Sequence, residues 1–379
     1  MTGLRSHEEV FFSLLRSAMW GTPACVPHGF SEWGQIVSLA KAQSVLGLVA
    51  DVMLSDEAVA SHISAKAIEK LKSFIMVNMM NASKLETLTV SSVQTLREAG
   101  VDPVLLKGHG LAANYPDPRL RQCGDVDLYV GQENYRRSYH ALLKIADKAD
   151  DVRTLDVGQH FTVFVSGLEV EVHRFCEVYP SRKLDRLYQE YSLKGLTVNL
   201  VGTEVAGIPV NTPEDTYNCY YVFSHLFNHF LTGGIGLRQL CDWMCLIHKR
   251  GASMDVPALE EMIKTMGMME SWKAFGCVLV DWLGLPENEF PLFERQDEAK
   301  VGKIVSRILE EGNFGRQRDV HTKKNGNYLK DKSRAFFGHI TRSARLMTLF
   351  PSIVFRRFWL TMYNRFSKVI SDAKVRFRS

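Results

Sequence analysis

Residues 105–130 read LLKGHGLAANYPDPRLRQCGDVDLYV, from Leu105 to Val130. An apolar run closes on Lys107-Gly108, a segment rich in Pro, Asp and Arg follows, and Asp125-Val126-Asp127 opens a second apolar run. The middle segment has the composition of a loop. The two runs predict strands, with Pro103 near the start of the first, where proline is tolerated. Alternation along the second strand puts Asp125 and Asp127 on one side and Val126, Leu128 and Val130 on the other. The carboxylates then stand roughly 6–7 Å apart at Cα, from the strand rise. Two like charges so placed repel unless a cation sits between them. Oxygen ligands on a strand suit Mg²⁺, which is held by a few carboxylates together with substrate phosphates.

Working outward, residues 160–175 read HFTVFVSGLEVEVHRF. Two alternating runs around Ser166-Gly167 predict a β-hairpin. A two-residue turn pairs Val165 with Leu168, Phe164 with Glu169, Thr162 with Glu171, and His160 with His173. Phe161, Val163, Val170 and Val172 then share the buried face, and both Glu169 and Glu171 lie on the polar one. A slip of one residue would reverse every assignment. Upstream, Gly108 allows the backbone to approach a ligand closely. The helix expected after it would offer free N–H groups to a phosphate, while Lys107 and Arg121 would neutralise phosphate oxygens. Paired carboxylates, a third acid and a phosphate cradle are what two-metal phosphoryl transfer requires.

The ordered set LLKGHGLAANY, RLRQCGDVDLYV and LEVEVH resembles the nucleotidyltransferase superfamily that includes DNA polymerase β. It is more similar still to a bacterial group of uncharacterised nucleotidyltransferases, over roughly residues 30–250. The resemblance implies an α+β chain with a nucleotidyltransferase-fold mixed sheet between N-terminal and C-terminal helical segments. It implies Asp125 and Asp127 as metal ligands and Gly108 as the glycine of the nucleotide-binding turn, with Lys107 and Arg121 at matching positions. Superfamily members often carry aspartate as the third acid; this chain has Glu171 there, with Glu169 as competitor. The implied activity is Mg²⁺-dependent transfer of a nucleoside monophosphate from an NTP, ATP among them, to an acceptor hydroxyl, releasing pyrophosphate. The acceptor, a small molecule or a macromolecule, is not specified by the residues. Two other readings stay open. One is a nucleotide-binding regulatory protein without turnover; the other is a membrane-associated scaffold.

The 379 residues exceed one ordinary core. Residues 1–98 read as a helical region with one long helix over 64–98, closed by Gly100. Residues 99–205 alternate strands and helices and form the catalytic core, including a helix over 132–149. Residues 206–315 read as a helical domain, with Thr212 as N-cap and Pro213 as the first helical residue. Within it, His225 and His229 share a helical face, as do Arg238 and Asp242. The histidine pair is read as packing or cleft-lining rather than as a zinc site. The arginine–aspartate pair suits either an intrahelical ion pair or an arginine facing substrate.

Residues 316–379 form a basic helical tail with 16 Lys and Arg against 3 Asp and Glu, a net +13, whereas residues 1–315 carry 30 against 39, a net −9. Such a tail is expected to dock on the chain's own helical domains, with peripheral contact to an anionic membrane as the competing reading and nucleic acid not favoured. No run of eighteen apolar residues is present. Seven cysteines without a Cys-x-x-Cys pair, and an N-terminus lacking a signal-peptide stretch, lead to the expectation of a cytoplasmic protein.

Overall fold

Alternation of apolar and polar residues builds a seven-stranded mixed sheet in this computed structural model, which describes residues 5–179, 181–313 and 346–355. The strands are β1 (Val104–Leu105), β2 (Asp125–Tyr129), β3 (Lys148–Ala149), β4 (His160–Val165), β5 (Leu168–His173), β6 (Val201–Val205) and β7 (Ile208–Thr212), in spatial order β3-β4-β5-β2-β1-β7-β6. β2 runs parallel to β5, and β1 parallel to β7; the other pairs are antiparallel. The chain is therefore α+β with a mixed sheet.

The hairpin register is the expected one, from Val165 opposite Leu168 to His160 opposite His173. Its turn places Ser166 and Gly167 at φ of 51° and 74°. Left-handed backbone at both central residues matches the right-handed strand twist, and glycine tolerates it without steric cost. Phe161, Val163, Val170 and Val172 are fully buried with Val126 and Leu128. Against this face pack Leu85, Leu88, Val93 and Leu96 of the helix Ala65–Glu98, and Tyr135, Tyr139 and Leu142 of the helix Gly131–Leu142. Ser64 caps the long helix by accepting the Ala67 N–H at 3.4 Å, and Gly100 follows its end at a φ of 73°.

Two local readings are corrected. The helix expected over 132–149 stops at Leu142, and Lys148–Ala149 joins the sheet edge beside β4. The Asp147 and Asp150 N–H groups donate to the carbonyls of Phe164 and Thr162 at 2.8 and 2.9 Å, so the ladder overrides helix propensity. Thr212 does not cap a helix: it ends β7 and donates its hydroxyl to the Val201 carbonyl at 3.0 Å. Glu214 caps instead, accepting from the N–H groups of Thr216 and Tyr217, both at 2.9 Å. The β6–β7 hairpin was not foreseen, and it carries the sheet past residue 205 to Thr212.

The second core belongs to the helices. Phe11, Phe12, Leu14 and Leu15 of the helix Ser6–Trp20 belong to one apolar interior with Trp272, Phe275 and Leu279 of the helix Met269–Leu283, so the two helical regions share a core. Of the basic tail, only residues 346–355 are described; the rest of that expectation lies outside the described residues. Leu346, Leu349, Phe350 and Val354 are buried in this same core. The Phe350 ring lies 5.3 Å from Phe227 and 6.4 Å from Phe230 and Phe275. All seven cysteines are free thiols. No helix among the described residues is long and apolar enough to cross a membrane.

Candidate functional site

The polar face of the sheet looks onto the helix Asp215–Thr232 across a cavity of about 490 Å³. Lys107, Asp125, His160, Glu171 and His173 line its sheet side, and His225, Asn228 and His229 line its helical side. Parallel pairing of β2 with β5 sets Asp125 beside Glu169 and Asp127 beside Glu171. At the end of β1 the backbone takes positive φ at two successive residues, 30° at Lys107 and 43° at Gly108. A non-glycine residue held there costs on the order of 1–3 kcal/mol. The turn brings Lys107 Nζ to 3.2 Å from Asp127 Oδ1. A short helix, Lys107–Ala112, follows, with non-helical backbone at Gly108.

Asp127 is buried behind the cavity wall. Its Oδ1 also meets His173 Nε2 at 2.9 Å. Burial disfavours its charge, but the Lys107 ammonium and the His173 hydrogen bond outweigh that and hold the carboxyl far below the usual range. Asp125 lies on the cavity side, and its carboxyl is pushed up by burial and by the Asp127 charge. Glu171 is pulled down by hydrogen bonding to His173, 3.4 Å away, against the opposing effect of burial. Glu169 is raised, by burial and by Glu171. Lys107 is partly buried, which opposes its charge, yet the charges of Asp127, Asp125 and Glu171 raise its pKa, so it stays an ammonium. Asp125, Asp127 and Glu171 stand on two neighbouring strands, and the charge of Asp125, desolvated beside Asp127, is one that a divalent cation would relieve. These residues fit such an ion.

Arg121 goes elsewhere. Expected on phosphate oxygens, it is buried, and its Nε and Nη2 donate to Asp242 Oδ1 and Oδ2 at 2.7 and 2.8 Å. The Tyr115 hydroxyl donates to the same Asp242 Oδ1 at 2.6 Å. The alternative pair of Arg238 with Asp242 therefore does not form; Arg238 Nη1 donates to the Gln122 carbonyl at 2.9 Å. This arrangement ties the loop before β2 to the helix Leu237–Arg250. Sequence proximity to Asp-x-Asp could not show which way Arg121 turns, because its partner is 121 residues away.

His225 and His229 do line the cleft. Their rings are 4.5 Å apart, and burial together with the Lys107 charge lowers both below the ordinary imidazole value. Glu177 was missed. It accepts from the Ser224 hydroxyl and from the Tyr179 hydroxyl, the latter at 3.3 Å, and all line or back the cavity beside His225. Nothing in the spacing of Glu177 and Ser224, 47 residues apart, could have announced that contact.

Beside the site, burial and the Arg121 charge push His109 down to about 4. Its Nε2 is buried without a hydrogen-bond partner among the described residues. The unfolded chain protonates His109 near pH 6.5, while the folded chain resists until about 4. The stability due to this residue is therefore complete above pH 6.5 and is lost as pH falls toward 4. The loss should be on the order of 2–3 kcal/mol. Urea unfolding at pH 7.5 and 4.5 should show a smaller drop in His109→Asn than in the natural protein; equal drops would refute the assignment.

The chain belongs to the family described as uncharacterised nucleotidyltransferase, whose profile matches residues 31–284. Among solved structures it is similar to an antigenic nucleotidyltransferase-like protein from Paracoccidioides brasiliensis, with 14% identity and a TM-score of 0.30 over 49% of this chain and 90% of that one. No curated protein matches it.

Proposed function

We propose that the chain moves a nucleoside monophosphate from an NTP to an acceptor hydroxyl in the cavity between the sheet and the helix Asp215–Thr232. One observation carries the reading: Lys107, Asp125 and Glu171 share a cavity wall with Asp127 held directly behind them. Asp125, Asp127 and Glu171 would hold divalent cation, Mg²⁺ being the ion that carboxylates suit. Bound there, it would neutralise the triphosphate and acidify the acceptor hydroxyl.

The chain's own groups do the rest. Lys107 donates to phosphate oxygens, and Gly108 allows the backbone to come close. The acceptor oxygen bonds to the α-phosphorus, the bond from that phosphorus to the pyrophosphate oxygen breaks, and Glu171 takes the hydroxyl proton. Its lowered pKa keeps it ionised. The unit around residues 99–205 supplies this chemistry, and residues 206–315 wall the cleft. Arg121, with both ends of its fork on Asp242, acts in this reading by fixing the loop before β2.

The direct experiment incubates the full chain with each α-labelled NTP and a cell extract, and identifies the fraction that gains label. Label retained only by the protein, or by nothing, would refute transfer to a separate acceptor. Within this reading Glu171→Gln should lower turnover by at least about 100-fold, the usual contribution of a positioned base. Glu169→Gln, nearer the turn and raised rather than lowered, should stay within a few-fold of the natural rate. The reverse ranking would move the site one residue pair along the strand.

A further inference from the structure

We propose that Glu171 is the centre of a distinct transition-metal site, His160–Glu171–His173, selective for a divalent ion of the Zn²⁺ type over Mg²⁺. The inference rests on the reading above and alters one part of it: with Zn²⁺ bound, Glu171 is that ion's ligand rather than the proton acceptor, and Mg²⁺ is left to Asp125 and Asp127.

The register of the β4–β5 hairpin creates the cluster. His160 pairs with His173 and Thr162 with Glu171, so all of these lie on the polar face of two neighbouring strands. One donor atom from each of His160, Glu171 and His173 falls within 4.8 Å of the others. His160 Nε2 is 3.9 Å from Glu171 Oε1, and His173 Nε2 is 3.4 Å from Glu171 Oε2. Asp127 Oδ1, 2.9 Å from the same His173 Nε2, lies outside this group and holds the imidazole from behind. Donors around a tetrahedral cation at about 2.0–2.1 Å lie about 3.3 Å from one another. The separations of 3.4 and 3.9 Å lie at and a little above that value, so modest side-chain rotations close the site.

Chemistry sets the preference. Mg²⁺ asks for oxygen ligands in a near-octahedral shell and gives up its waters reluctantly. Two imidazoles with one carboxylate instead suit borderline ions of the first transition row. The histidines differ usefully in setting. His173 is buried at the end of β5, whereas the His160 side chain is 43% exposed and open to an arriving ion. All three residues line the cavity, so a ligand position stays open toward substrate.

The test uses the full chain stripped by chelator and dialysed against micromolar Zn²⁺ in millimolar Mg²⁺, with metal analysis of the retained protein. One equivalent of Zn²⁺ should remain. His160→Ala, altered at an exposed strand end, should fold normally and bind Zn²⁺ at least about 10-fold more weakly, since losing a ligand costs no less than losing a ligand's supporting partner. Co²⁺ in place of Zn²⁺ should give visible absorption bands that His160→Ala changes. Loss of Zn²⁺ to excess Mg²⁺, or natural Zn²⁺ affinity in folded His160→Ala, would overturn the inference. Its fate is separable from that of nucleotidyl transfer. Label transfer in Mg²⁺ without Zn²⁺ retention defeats the ion site alone. His160-dependent Zn²⁺ retention without label transfer under any cation supports the ion site and defeats the transfer reading.

Discussion

Asp125→Asn should yield a folded protein in which transfer from an α-labelled NTP falls by at least about 10³-fold, the scale of losing a preorganised charge in a water-poor site. Asp125 lies on the cavity wall, and its charge is disfavoured there by burial and by Asp127. Replacing it with a neutral isostere relieves that repulsion, so the melting temperature should hold or rise while turnover collapses. Asp127→Asn should lose turnover too, but with the opposite effect on stability. Asp127 is the carboxylate facing both Lys107 and His173, at 3.2 and 2.9 Å. Its removal leaves buried positive charge uncompensated, at a cost of about 3 kcal/mol or more. Thermal melts and single-turnover assays on the two variants check both halves. Near-natural turnover in Asp125→Asn would sink the mechanism, and equal melting shifts would sink the division of roles between the two aspartates.

Asp242→Ala should be the most damaging substitution for the fold, lowering stability by about 3–5 kcal/mol. The Arg121 and Asp242 side chains are only 5% and 7% exposed and meet through two hydrogen bonds. Alanine strands the guanidinium and also removes the acceptor of the Tyr115 hydroxyl, whose phenol burial and Asp242 already keep protonated. An isolated buried charge, rather than the lost pair itself, carries most of the expected cost. The double variant Arg121→Met, Asp242→Leu should therefore recover most of the loss, because apolar groups of similar size need no partner. Urea midpoints of the single and double variants decide the matter. A loss under about 1 kcal/mol in Asp242→Ala would mean that water reaches the pair, as at a surface bridge.

Much of the sheet was legible in one dimension. Strand alternation is a local property: side chains at i and i+2 share a face wherever the strand lies. That rule alone placed Asp125 with Asp127, put Glu171 on the polar face, and set the β4–β5 register through the Ser166-Gly167 turn. A helix stop with local chemistry, Gly100 after the long helix, was readable for the same reason, whereas the start expected at Thr212 was not. β3 was not legible, because a two-residue edge strand exists through its ladder partner; the β6–β7 hairpin, with its own Ala206-Gly207 turn, was legible but fell within the helical domain expected from residue 206.

The site divides along the same line. Lys107, Asp125, Asp127 and Glu171 converge because two parallel strands, β2 and β5, carry a local pattern into register. Arg121 left that group because Asp242 lies within reach of it only after the helix Leu237–Arg250 packs against the loop before β2. Glu177, Ser224 and the cleft-facing histidines likewise meet only through packing of the helix Asp215–Thr232 onto the sheet. Periodicity decides which way a side chain points from its own element. Which charge or donor it then meets is set by the packing of distant elements, and for buried ions that encounter outweighs any local preference.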